Sequence, residues 1–266
     1  MSDIAIVIPT IRYKLPVWET FLAAWDYLFK KHNVSLIVVE DGPDPKATVT
    51  PVYNDAFKSS CFLSEYPEAI ELIPRFSPAV RNFGFFLIAR LLPKVKYIIT
   101  LDDDTIPHGD TIADHVNVLK NGKASYPYWN TFSANTPYYP RGFPYHSRGE
   151  VPVMVSHGIW HGVKDWDAMT QLVLGNPDVE FYKGLVPWNY YMPVCGMNLG
   201  FSRAALPYVY YAPAKQIEGA QRFDDIWMGY VLQYVLAEKR WAMASGFSAV
   251  NHNRASDVYK NLKQEY

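Results

Sequence analysis

The 266 residues carry 25 Lys and Arg against 26 Asp and Glu, a net charge of −1, with 49% apolar and 19% charged residues. This composition excludes a disordered, collagenous or coiled-coil chain and a strongly basic nucleic-acid binder. At roughly 100–200 residues per domain the length suits one domain, whose core is large enough to need neither a disulfide framework nor a Cys-based zinc site, and Cys61 and Cys195 are too few to build one.

In chain order, Ile4-Ala-Ile-Val-Ile8 reads as a strand buried on both faces. Its apolar run is too short for a signal sequence and has no basic residues before it, so a cytoplasmic protein is expected. No apolar stretch approaches the roughly 18–20 residues of a membrane span. Val17, Phe21, Ala24, Trp25 and Leu28 follow at helical spacing between Pro16 and Lys31, and Ser35-Leu-Ile-Val-Val39 repeats the buried strand, completing a βαβ unit. Glu40-Asp-Gly-Pro-Asp-Pro45 is a loop at that strand's carboxyl end, where open α/β sheets place ligands. Ser77-Pro78 predicts an N-cap and a helix running to Pro93. The strand Lys96–Leu101 then runs into Asp102-Asp-Asp104. Residues 126–165, rich in Pro, Gly, Tyr and His, read as a loop-rich substrate region, and the 16% aromatic content fits rings stacked on sugars or simply packed in the core. A last helix is predicted at Asp224–Lys239, with Ile226, Trp227, Tyr230, Val231, Tyr234 and Val235 as its apolar stripe. There is no internal repeat.

Three consecutive carboxylates at the end of a buried strand repel one another and call for a positive partner. A divalent metal of the Mg or Mn kind, sharing its coordination with phosphates, is one answer. An acidic turn capping a helix that starts near Asp110 is the other, and spacing fits both equally. Neither a Walker A sequence nor a GxGxxG is present. His252 could add a ligand from a distant part of the chain, or be an ordinary hydrogen-bonded residue. Asp224-Asp225 opens a helix, where capping already explains an acidic pair. Arg141 and Arg148 could clamp a diphosphate, although most arginines only solvate a surface.

The blocks Ile8-Pro-Thr-Ile-Arg12, Glu40-Asp-Gly-Pro43, Arg81-Asn-Phe-Gly84, Tyr97–Asp104, Arg141–Arg148, Ser156–Trp160, Cys195–Leu199, Arg222–Trp227 and His252–Ser256 resemble, in order and across nearly the whole chain, the reversibly glycosylated polypeptides, a family that includes the plant UDP-arabinopyranose mutases. The resemblance implies a single GT-A-like α/β domain over 1–266, with a mostly parallel sheet, helices on both faces and a loop-rich second half. Residues 1–125 would bind the nucleotide and 126–266 the sugar or acceptor. It implies that Asp102, Asp103 and Asp104 hold Mn or Mg against the diphosphate, with His252 as a further ligand. Thr10, Arg12 and Asp41 would form the uridine-binding edge, with Arg81 and Asp102 also on the nucleotide. Arg141 matches the arginine that carries the reversible sugar, Arg148 a second required arginine, and Asp224 and Asp225 the acidic position that supplies a catalytic carboxylate.

The activity implied is interconversion of the pyranose and furanose forms of a UDP-pentose, most readily L-arabinose, with self-glycosylation at an arginine. A metal-dependent glycosyltransferase acting on an external acceptor, with Tyr126–Tyr145 as its cleft, is the alternative, and a self-glycosylated binding protein without turnover is a third reading. The expected partners are a UDP-sugar and a second copy of the chain, with no nucleic acid or membrane. The plant proteins continue beyond the counterpart of Asn261–Tyr266, so their mode of assembly is not expected to carry over. The loop Thr105-Ile-Pro-His-Gly109 also differs, which leaves the identity of the accepted sugar open.

Overall fold

The computed structural model describes residues 2–51, 59–125, 138–188, 190–214, 217, 220, 222–253 and 257–265. Their strands are β1 (Ile4–Thr10), β2 (Ser35–Glu40), β3 (Lys46–Pro51), β4 (Ser59–Phe62), β5 (Tyr97–Leu101), β6 (Thr105–Pro107), β7 (Lys123–Ser125), β8 (Glu150–Gly162), β9 (Gly184–Leu185), β10 (Asn198–Ser202) and β11 (Ala242–His252). The helices are α1 (Pro16–Lys31), α2 (Pro67–Ile70), α3 (Arg81–Leu91), α4 (Thr111–Asn121), α5 (Ala168–Leu174), α6 (Asp224–Lys239) and α7 (Val258–Glu265).

The strands form one sheet in the order β4-β3-β2-β1-β5-β10-β8-β11-β6, with β7 on β8 and β9 on β11. β2, β1, β5, β8 and β11 all run the same way, while β10 is antiparallel between β5 and β8. The shorter strands pair antiparallel with their neighbours. The fold is α/β, as the alternating pattern of the first half predicts.

Strand alternation explains the continuous apolar runs. Ala5 and Val7 of β1 face a core with Phe83 and Leu87 of α3 and Met228 and Leu232 of α6. Ile4, Ile6 and Ile8 face a second core with Phe21, Trp25 and Phe29 of α1 and Ile112 of α4. Both faces of the strand are therefore covered.

Three expectations need correction. Residues 126–165 contain the long central strand β8, missed because Pro152 and Gly158 interrupt its valines; the aromatic cleft assigned to Tyr126–Tyr145 lies outside the described residues over 126–137. On α6 the buried face is Met228, Leu232 and Leu236, whereas Tyr230, Val231 and Tyr234 are exposed. Gly229 explains the choice, since a methyl there would come within 2.7 Å of Val194: the helix is pressed against its neighbour on the side where it has no side chain. Ser77 makes no cap bond, and the first turn after it is a 3-10 turn at Pro78–Val80.

Candidate active site

The carboxyl ends of β1, β2, β5, β8 and β11 share one edge of the sheet, the place where α/β folds put ligands. The acidic triplet follows β5 there. Thr105 donates through its backbone N–H and its hydroxyl to the Asp102 carbonyl, at 3.3 and 2.7 Å, folding the triplet into a turn. Trp25 of α1 donates its indole N–H to the Thr105 carbonyl at 2.9 Å and pins that turn to the core. The N-cap of α4 is Asp110, which accepts from Ala113 N–H at 3.0 Å, so capping does not account for the triplet.

Each aspartate has a different neighbour. Asp102 accepts from Arg81 Nη2 at 2.6 Å and remains a third exposed. Asp103 is buried and accepts from the Thr10 hydroxyl and from both Nε and Nη2 of Arg12. Asp104 has Arg12 Nη2 at 3.4 Å on one side and His252 Nε2 at 3.9 Å on the other. Burial, reinforced by Asp102, pushes the Asp104 carboxyl up. The His252 ring donates from Nδ1 to the Val163 carbonyl at 2.8 Å, which turns Nε2 towards Asp104. Among the described residues no three His, Cys, Asp or Glu side chains stand close enough together to hold an ion by themselves.

Several residues with expected roles have partners within the chain. Asp103, expected as a metal ligand, accepts from Thr10 and Arg12, and those two, expected at the uridine, tie the end of β1 to the end of β5. Arg81, expected on the nucleotide, is fully buried. It donates to the Pro78 carbonyl at 2.9 Å, Thr100 Oγ1 at 2.7 Å, the Gly196 carbonyl at 2.6 Å and Asp102, and so has no fork to offer a phosphate. Asp41 donates its N–H to the Thr10 carbonyl and accepts from Phe76 N–H at 2.9 Å, on the same sheet edge.

The start of α6 reaches this cluster through the segment before β10. The N-cap is Phe223, without a side-chain cap bond, so the acidic pair is free for other contacts. Asp225 Oδ2 accepts from Gly196 N–H at 3.0 Å, and burial, with Asp224 next in effect, pushes its carboxyl up to about 7. Asp224 is buried too, and burial raises it while Arg81 pulls it down. Cys195, just before Gly196, donates its thiol to Asp165 at 3.0 Å, a contact with no signal in the sequence.

Among the described residues, Arg141 and Arg148 form no ion pair with the aspartates. Both are exposed, and Arg148 lies over the Tyr145 ring at 3.9 Å. The chain enters β8 two residues later, and Ser156 and His157 of β8 lie beside Gly200 and Leu199, which pair with Ile99 and Thr100 of β5. Glu150 to His157 covers about 23 Å at about 3.3 Å per residue, so Arg148 stands at the sheet end opposite the aspartates.

A family described as "Reversibly glycosylated polypeptide" matches residues 1–266. "Probable UDP-arabinopyranose mutase 1" of Pisum sativum is 31% identical over 284 residues, covering 100% of this chain and 74% of that protein. "UDP-arabinopyranose mutase 1" of Arabidopsis thaliana is 31% identical over 286 residues, covering 100% and 75%. A solved structure of a glycosyltransferase involved in glycosylation of the major capsid of PBCV-1 aligns over 98% of both chains at 9% identity, with a TM-score of 0.39.

Proposed function

The chain belongs to the reversibly glycosylated polypeptide family, and from that premise we propose that it is a nucleotide-sugar mutase interconverting the pyranose and furanose forms of UDP-L-arabinose with the help of Mn or Mg. The observation that carries the reading is the meeting at one sheet edge of Asp104 and His252 Nε2, 3.9 Å apart, with the Asp224–Asp225 pair reached through Gly196.

The donor set suits a hard divalent ion. Asp104 and Asp102 offer carboxylates, His252 offers a nitrogen already oriented by Val163, and such ions take their remaining ligands from phosphates and water. When bound, the ion would act as a Lewis acid on the departing diphosphate. Arg81 holds Asp102 in place, and the Arg12–Asp103 pair holds the turn. As the anomeric C–O bond breaks, the diphosphate leaves with the electron pair and positive charge grows on the sugar, where the buried carboxylates Asp224 and Asp225 stabilise it. With Asp225 near 7, this pair shuttles one proton near neutral pH: the hydroxyl that closes the new ring bonds the anomeric carbon and gives its proton to the pair, the bond to the old ring oxygen breaks as that oxygen takes the proton, and the diphosphate then re-forms its bond to the anomeric carbon. These steps use no covalent bond between the sugar and Arg141.

Incubation with Mn and UDP-arabinopyranose without acceptor tests the reading. A UDP-arabinofuranose product is expected, and EDTA should abolish it. Sugar transfer only upon addition of an acceptor would identify a transferase instead.

A further inference from the structure

Two buried polar atoms beside the site, Tyr211 Oη and Asp224 Oδ2, have no hydrogen-bond partner among the described residues. Leaving such an atom unpaired costs about 1–3 kcal/mol, so each demands an explanation. They belong to one neighbourhood. The Tyr211 ring is wholly buried and lies beneath the Arg81 guanidinium at 4.9 Å, and Arg81 in turn holds Asp102. A methyl on Gly196 would stand 2.9 Å from Tyr211 Oη and 3.1 Å from Arg81 Nη1, and Gly196 N–H binds Asp225, the neighbour of Asp224.

The phenol is also held still. Asn82 clamps the Tyr211 backbone from both sides, accepting its N–H at 3.0 Å and donating to its carbonyl at 2.8 Å, and Phe85 packs on the ring at 6.1 Å. Packing and the cation–π contact need only the ring; among the described residues none pairs with the hydroxyl. Burial pushes that hydroxyl up, so it stays protonated and able to donate.

We propose that Tyr211 Oη and Asp224 Oδ2 form a recognition point for one hydroxyl group of the nucleotide's sugar, which rests on the UDP-sugar reading given above. A sugar hydroxyl both donates and accepts, and here it meets a phenol that donates and a carboxylate that accepts. A phosphate oxygen would be repelled by the carboxylate, and an ammonium would leave the phenol proton unused. Asp102, at the edge of the cluster, is a third exposed, and the mutase reading puts the diphosphate against it with the attached sugar next along.

Titration calorimetry with UDP and with UDP-arabinopyranose, both in the presence of Mn, separates recognition from scaffolding. Tyr211→Phe keeps the ring under Arg81. It should leave UDP affinity within about twofold, weaken UDP-arabinopyranose about five- to tenfold, as expected for one hydrogen bond, and leave the melting temperature no lower than that of the wild type. Tyr211→Leu, which also removes the ring, should weaken both nucleotides. Equal loss of both in Tyr211→Phe, or no change in either, overturns the proposal while leaving the mutase reading intact. A wild-type protein that binds neither nucleotide overturns that reading and this proposal with it.

Discussion

Asp103 and Asp104 are adjacent and chemically identical, yet their surroundings give them different work. Asp103 is satisfied by three donors within the chain, whereas Asp104 faces the open nitrogen of His252. Asp104→Asn should therefore weaken Mn binding, followed by electron paramagnetic resonance, by about tenfold or more. Asp103→Asn should keep Mn affinity and instead lower stability by about 1.5–3 kcal/mol, through the loss of hydrogen bonds to a charged partner. Asp225 makes a second prediction. Its folded-state pKa is raised to about 7, so its contribution to stability is greatest below the unfolded value and is lost as pH rises through 7. Asp225→Asn, whose amide oxygen can still accept from Gly196, should remove that slope: denaturant unfolding should show the variant gaining on the wild type between pH 5 and pH 8, by up to about 1.4 kcal/mol per pH unit. The sequence named these carboxylates, but not their division of labour, because that depends on Arg12 and Arg81 arriving from other strands and helices.

Among the elements, β1, α1, β2 and β5 were legible because apolar residues, breakers and caps agree over their whole length. β8 and α6 were harder for one shared reason: their buried positions include small and polar residues. In β8 these are Ser156, His157 and Gly158, and in α6 they are Asp224, Gly229 and Gln233. Gln233 is buried because its amide bridges Met192 N–H, the Met192 carbonyl and the Gly229 carbonyl. A periodicity count scores such residues as solvent-facing and rotates the helix accordingly. Gly229→Ala tests the observed orientation. Helix propensity alone favours alanine by about 1 kcal/mol, but the approach to Val194 should reverse the sign and destabilise the protein by about 1–3 kcal/mol in thermal or urea unfolding. Tyr234→Ser, on the exposed face, should stay within about 0.5 kcal/mol.

At the scale of the molecule, two buried histidines join strands that are distant in sequence. His115 of α4 bonds Ser156 of β8 at 2.9 Å and Asn198 of β10 at 2.8 Å. His157 accepts from Cys195 N–H and donates to Ser245 of β11 at 3.0 Å. Burial pushes both down to about 4. A depressed histidine contributes stability that is complete above its unfolded pKa and is lost as pH falls towards the folded one. The wild type should thus lose stability between pH 6.5 and pH 4 more steeply than His115→Gln, measured by urea midpoints across that range.

Arg141→Lys should keep full mutase turnover in the acceptor-free assay, because the steps proposed above use no bond to that exposed arginine. About 23 Å of β8 lies between its first residues and the aspartate end of the sheet, so the segment that carries Arg141 would have to fold back along the strand to meet a sugar activated there. Dilution distinguishes the routes: labelling of Arg141 within one polypeptide starts at a rate proportional to protein concentration, whereas labelling between polypeptides rises with its square.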